Sequence, residues 1–242
     1  MPSLTLDSRL IWFAHVPKAG GTSVEQALVD RWGDRVGHLH WGWDLWWRGG
    51  GWRMADPPNS PQHLIWEDAV TALPRAPDAV FGLVRDPGAR LASEHGYQRT
   101  ARRGTRLGRA LARLPFALWL RLMLAVAARN PHAFDNHLRP QADFIPEGAA
   151  IFPLEQGLAP VSDWLGRVTG TPPPEMPHAL KSGASPALTS ALLARIETAY
   201  RVDYERFGYP RRTRGTPARD GLDRLADALA PLLVWLDRRG RL

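Results

Sequence analysis

Three observations predict an α/β domain built as three layers, with a mostly parallel sheet, helices on both faces and a phosphate-binding loop. Residues 10–16 form an apolar run that reads as a buried strand; it breaks at Pro17 into Lys18-Ala19-Gly20-Gly21 and gives way at Thr22 to a helical pattern. A second buried run, 79–84, ends in Arg85-Asp86-Pro87 and leads into another helix. Strand-like and helix-like segments alternate along the rest of the chain, with no internal repeat.

In chain order, residues 22–32 are predicted helical, with the Thr22 and Ser23 hydroxyls at the start. A short strand is expected at 36–40, a brief helix at 68–73, and the strand carrying the second arginine signal at 79–85. Helix 90–99 follows, then a basic stretch and a long helix at 114–129. Strand 149–154, helix 161–169 and a long amphipathic helix at 188–204 complete the core. From Arg211 the composition changes to a basic linker, and 220–236 carries Leu222, Leu225, Leu229, Leu232 and Leu233 at helical spacing. The expected division is a catalytic domain at 1–210 and a linker with a C-terminal helix at 211–242, the helix either docking on the core or pairing with another copy.

Composition narrows the function classes. A chain of 242 residues suits one α/β domain with a sizeable core. It contains no cysteine, which excludes disulfides and thiolate metal sites and fits a reducing compartment. Residues 1–7 lack the basic start and apolar core of a signal peptide, and no run of apolar residues is long enough to span a bilayer. A cytoplasmic location is therefore expected. The net charge of +7 comes almost wholly from arginine, since Lys18 and Lys181 are the only lysines. Such a balance attracts polyanions, although a GC-rich genome would give the same arginine bias.

The order strand, glycine turn, helix start has a physical reason. Glycines let the backbone approach an anion, successive N–H groups point at it, and the helix dipole favours negative charge there. In the usual nucleotide-triphosphatase loop the lysine follows the glycines, whereas here Lys18 precedes Gly20 and Gly21. At the second signal, Arg85 ends a strand, Pro87 turns the chain, and Ser93 lies a turn or two into the next helix. A guanidinium fork and a hydroxyl so spaced suit one terminal phosphate.

Pro17-Lys18-Ala19-Gly20-Gly21-Thr22-Ser23 resembles the 5′-phosphosulfate loop of sulfotransferases that use 3′-phosphoadenosine 5′-phosphosulfate (PAPS). Arg85-Asp86-Pro87-Gly88-Ala89-Arg90-Leu91-Ala92-Ser93 resembles the 3′-phosphate motif of the same family. His137-Leu138-Arg139-Pro140-Gln141 looks like the His-x-x-Pro-Gln segment of the carbohydrate-type branch, which includes sulfotransferase family 2. The phrase from Tyr200 to Tyr209 looks like the Tyr-x-x-Asp-Tyr-x-x-Phe-Gly-Tyr ending of that branch's core. Tyr200, Tyr204, Phe207 and Tyr209 are expected to pack the last helix of the core against the sheet.

The resemblance implies a sulfotransferase that moves a sulfuryl group from PAPS to a hydroxyl of a saccharide, glycolipid or small molecule by in-line displacement, without a metal. Lys18 would neutralise the leaving oxygen. Pro17, Ala19, Gly20, Gly21, Thr22 and Ser23 would hold the 5′-phosphate, Arg85 and Ser93 the 3′-phosphate, and Lys181 is a further phosphate contact by its position. The base should be a neutral histidine. His63 is the first candidate, from its place between the two phosphate motifs, with Glu67 to orient it. His137 is the second, from a loop expected to border the cleft, and it is also a candidate acceptor contact. His15 reads as a packed core histidine.

Trp41, Trp43, Trp46, Trp47 and Trp52 crowd a stretch beside Gly49-Gly50-Gly51. Trp41 and Trp43 are candidate acceptor contacts, because indole faces stack on sugar rings, and the glycines would let the loop move. The basic amphipathic stretch 99–124 is compatible with an anionic membrane surface. The competing reading is a nucleic-acid- or anionic-membrane-binding protein that keeps only the fold; the intact Lys18, Arg85 and Ser93 favour the enzyme, with no nucleic-acid partner. A nucleotide kinase is disfavoured by the displaced lysine and the lack of a convincing magnesium-binding acid.

Overall fold

A computed structural model describes residues 2–37, 59–73, 75–100, 106–177, 186, 188–213 and 217–239. Its five strands are β1 (Ser3–Leu6), β2 (Arg9–Ala14), β3 (Val36–Gly37), β4 (Ala79–Val84) and β5 (Ala150–Pro153). They form one sheet in the order β3-β1-β2-β4-β5. Among the described residues the α-helices are α1 (Gly21–Trp32), α2 (Trp66–Ala72), α3 (Pro87–Thr100), α4 (Arg106–Ala112), α5 (Phe116–Ala127), α6 (Ala159–Thr169), α7 (Ser190–Ala199), α8 (Arg201–Phe207) and α9 (Gly221–Asp237). The protein is α/β.

The sheet is mixed, which corrects the expectation of a mostly parallel one. β2–β4 and β4–β5 are parallel, whereas β1–β2 and β1–β3 are antiparallel. The cause lies at the N-terminus, which the sequence reading did not recognise as a strand. Leu4 and Leu6 are buried and Thr5 between them is exposed, the alternation of a half-covered strand. Asp7 takes a left-handed backbone (φ 50°), which aspartate tolerates, and the loop of Asp7 and Ser8 folds β1 back along β2. β2 thus has an antiparallel neighbour on one side and parallel β4 on the other.

The described chain forms two compact units. The first comprises Met1–Arg85 and Gln141–Lys181, and the second Asp86–Pro140 and Ser182–Leu242. The first holds the sheet. Phe13 stacks on Phe81 with ring centroids 4.9 Å apart, and Phe81 meets Trp164 of α6 at 5.0 Å. One carboxylate sets the strand register. Asp78 Oδ2 accepts from Leu10 N (2.6 Å), and Asp78 N donates to Leu10 O (2.8 Å). The Arg75 guanidinium and the Leu10 amide hold the Asp78 carboxyl down at about 2. This staple starts β4 beside β2 with Ile11 opposite Ala79, so both strands deliver their carboxyl ends on the same side of the sheet.

The second unit is helical. Trp119, Leu120, Met123 and Val126 of α5 share its core with Ile196, Tyr200, Tyr204, Ala226, Ala230 and Leu233. The C-terminal helix therefore docks, one of the two outcomes expected of it. Asp220 caps α9 by accepting from Asp223 N (3.0 Å), while Asp223 Oδ2 accepts from Asp220 N (2.9 Å). Arg121 reaches Asp220 (2.8 Å), and Arg195 grips Asp223. The single helix expected at 188–204 is two, α7 and α8, broken at Tyr200 (φ −110°, ψ 29°). Its hydroxyl donates to Leu138 O at 2.7 Å, and burial pushes the phenol up to about 12. Tyr200 and Tyr204, expected to pack the last helix of the core, lie in this helical core.

Candidate phosphate-binding site

β2 ends at Ala14, and the next residues form the turn that the sequence singled out. Lys18 has a left-handed backbone (φ 65°), unusual for a residue with a side chain, and Gly20 follows at φ 90°. Two left-handed residues so close together curl the chain, and a curl of this kind turns successive N–H groups toward one point. A side chain at Gly20 would be strained and would also meet Leu154 Cδ1 at 2.9 Å. Gly20 is the N-cap of α1, no side chain caps the helix, and its first turn carries no acid. The first N–H groups of a helix lack intrahelical partners, so this terminus favours an anion. Pro17, Ala19 and Gly21 are buried, Lys18 and Ser23 are half-buried, and Thr22 is exposed.

Arg85 comes to the same place. It follows β4, the parallel neighbour of β2, and its Nη1 lies 3.4 Å from Lys18 O. Gln141 holds its peptide: Arg85 N donates to Gln141 Oε1 (2.9 Å), and Gln141 Nε2 donates to Arg85 O (2.8 Å). Gln141 is fully buried. This amide copies the two bonds of a strand neighbour just where the β4 ladder stops, and so fixes the chain at Arg85. The sequence contained the glutamine in a recognised motif but gave no sign of this role.

Beneath the turn lies a polar network that the sequence reading missed. His15 Nδ1 donates to Glu25 Oε1 at 2.6 Å. Gln62 Nε2 lies 3.3 Å from both Glu25 oxygens and donates to that carboxylate. His15 and Glu25 are both buried, in keeping with the packed histidine expected. A Cβ on Gly21 would come within 2.3 Å of His15 Nε2, so the imidazole presses on the first helical residue where only glycine fits. The signal was available: Gly21, Glu25, Leu28 and Trp32 share one buried helical face, and a carboxylate there requires a partner.

His63 belongs to the same unit. It closes a single turn of 3-10 helix (Pro61–His63), with its N–H bonded to Ser60 O at 2.9 Å and Nδ1 3.3 Å from Ser60 Oγ. Its ring stands edge-on to His15, with centroids 5.4 Å apart, and is buried. Glu67, expected to orient this ring, is exposed on α2, and the hydroxyl beside His63 Nδ1 is that of Ser60.

Ser93 and His137 lie in the second unit. Ser93 is half-buried on α3. His137 Nδ1 donates to Glu94 Oε2 at 2.7 Å, Gln98 Nε2 donates to Glu94 Oε1 at 2.8 Å, and the Tyr97 ring stacks on the imidazole at 5.9 Å. A carboxylate that orients a histidine is the arrangement that fixes a tautomer for proton transfer. Arg90 braces the same segment, donating to His137 O (3.1 Å) and Arg139 O (2.6 Å). Buried Glu94 shares the inner face of α3 with Arg90 and Leu91, a spacing that could have revealed it.

Trp41, Trp43 and Lys181, together with His38 and His40, lie outside the described residues. The chain matches no protein-family model, no curated protein and no solved structure. Among the described residues no helix is long and apolar enough to cross a membrane.

Proposed function

We infer that this protein is a PAPS-dependent sulfotransferase acting on a hydroxyl, with a saccharide or glycolipid as the acceptor class. The observation that carries the reading is the meeting of two sequence motifs at one point: the Arg85 guanidinium lies against the Lys18 carbonyl, beside an α1 terminus with neither side-chain cap nor acid. A terminus free of acid, a left-handed curl and an adjacent arginine fit a phosphate group, by charge and by N–H supply.

PAPS would supply the sulfuryl group when bound. The backbone N–H groups of Gly20, Gly21 and Thr22, with the Thr22 and Ser23 hydroxyls, would hold its 5′-phosphate, whereas Ala19 N and Ser23 N donate to Val16 O and Gly20 O. Arg85 would hold its 3′-phosphate; the part given to Ser93 rests on the motif alone, as does that of Lys181. Attack by the acceptor oxygen makes one S–O bond as the S–O bond to the 5′-phosphate breaks. Lys18 donates to the oxygen on which charge gathers, and the acceptor's proton passes to a histidine. His63 fills that role by sharing the first unit with the loop, while His137 has the better-oriented ring. Bulk location in the cytoplasm and a hydroxyl acceptor without nucleic acid complete the proposal.

The test is transfer of labelled sulfate from PAPS to mixed saccharides and lipids. Lys18→Ala should lower turnover by about a hundredfold or more while nucleotide affinity falls far less, because its partner becomes charged only as the bond breaks. Loss of affinity with unchanged turnover would remove the leaving-group role. In the same assay, a near-normal rate for His63→Ala beside a collapsed one for His137→Ala would move the base to His137.

A further inference from the structure

Nine large apolar side chains stand exposed among the described residues, and five of them lie on α9: Leu222, Leu225, Leu229, Leu232 and Trp235, between 39% and 53% exposed. Scattered exposed leucines are ordinary, whereas a contiguous stripe marks a contact surface. The opposite face of the helix is occupied by the unit's own core, through Ala226, Ala230, Leu233 and Val234. The helix's acids are committed too. Asp223 is held by Arg195 and Arg121, Asp227 by Arg129 and Arg219, and Asp220 at the N-cap by Arg121 and Arg195. Half-buried Asp237 lies 3.5 Å from Asn130 Nδ2, and burial raises its carboxyl above the ordinary range.

Apart from the paired Asp220 at the cap, the exposed charges of α9 and of the two residues that follow it are basic: Arg224, Arg238 and Arg239. At 3.6 residues per turn these border the leucine stripe together with Trp235, and the Arg239 guanidinium lies 4.2 Å from the Trp235 ring centroid. We propose that the exposed face of α9 is a peripheral-membrane contact, seating Leu222, Leu225, Leu229, Leu232 and Trp235 at the headgroup–acyl boundary of an anionic lipid surface while Arg224, Arg238 and Arg239 meet lipid phosphates.

The spacing of Leu222, Leu225, Leu229, Leu232 and Leu236 also fits a heptad seam, which would pair two copies of the chain. Charge and length favour the lipid surface. The seam covers only two heptads, short of a stable coiled coil. The positions flanking it are Gly221, Ala228 and Trp235 on one side and buried Ala226 and Leu233 on the other, with no charge pair to set a register. The arginine border has a complement in an anionic surface and none in a second copy of itself. The contact is independent of the sulfotransferase reading.

Co-sedimentation of the full-length protein with vesicles tests it, using phosphatidylcholine alone and equal parts phosphatidylcholine and phosphatidylglycerol. The wild type should bind the mixed vesicles and not the neutral ones, and added salt should weaken binding. Leu229→Gln with Leu232→Gln should lower binding at least about tenfold. Arg224→Gln, Arg238→Gln and Arg239→Gln combined should abolish the preference for the anionic lipid. Circular dichroism and melting confirm that each variant folds; if the leucine pair does not, Leu232→Ser alone gives the same readout. Equal binding by wild type and leucine variant would overturn the proposal. So would an absence of wild-type binding accompanied by a dimer that the leucine substitutions dissociate, which would assign the stripe to a second copy.

Discussion

The first turns of α1 and α9 meet the same requirement in opposite ways. Every helix begins with N–H groups that lack intrahelical partners. α9 answers from within: Asp220 and Asp223 form a reciprocal capping box, and Arg121 and Arg195 neutralise both carboxylates. α1 has Gly20 in a left-handed conformation at its N-cap, no side-chain cap and no acid in the first turn. Its support lies underneath, in the His15–Glu25–Gln62 network and the fit of Gly21 against the imidazole. A closed terminus serves stability; an open terminus braced from below suits an anion, as the proposed nucleotide site requires.

The largest expected effect breaks the brace. Glu25→Ala leaves buried His15 and Gln62 without their shared acceptor, and should cost about 3–5 kcal/mol of stability in urea unfolding. A cost near zero would mean that the network does not support the turn.

The next substitution closes the open terminus. Thr22→Asp places a carboxylate in the exposed first turn of α1, in imitation of α9. It should raise stability by about 0.3–1 kcal/mol through the helix dipole, yet reduce nucleotide affinity by about a hundredfold through repulsion of the phosphate. Opposite signs in melting and in binding are the signature; a parallel change in both would contradict an open anion site.

The smallest effect concerns the closed terminus and depends on pH. The Arg195 guanidinium beside Asp223 holds its carboxyl well below the usual carboxylate range. A depressed folded value means stability that is present above the ordinary carboxylate range and lost as pH falls through that range toward the folded value. Asp223→Asn should therefore cost roughly 1–2 kcal/mol at neutral pH, kept near the low end by solvent screening. Wild type and variant should converge in strong acid, as read by urea unfolding at both pH values. A gap that persists in acid would assign the effect to packing.

Much of this contrast was legible in the residues. The strand before Pro17, the glycine turn, and α1 ending at Trp32 were read from periodicity and turn chemistry, as were β4 and the arginine at its end. Those signals are local, and local chemistry fixed the outcome. The failures were long-range. β1 is four residues long, and only its pairing with β2 and β3 makes it a strand, so the mixed sheet did not follow from pattern alone. The helix breaks at Tyr200, whose hydroxyl donates to Leu138 O, a partner 62 residues away that helical periodicity cannot report. The same holds for Gln141, whose amide completes the ladder at Arg85 from 56 positions away. Buried Glu25 and Glu94 were visible as acids on apolar faces, but their histidine partners were not.

Calorimetric titration with 3′-phosphoadenosine 5′-phosphate in the absence of magnesium tests the central claim most directly, because it asks whether the open terminus of α1 and Arg85 together form a nucleotide phosphate site. Wild-type protein should bind this nucleotide at least about tenfold more tightly than ATP, which lacks the 3′-phosphate, and Arg85→Ala should lose most of that difference. No binding, or equal affinity for the two nucleotides in wild type and Arg85→Ala alike, would contradict the account.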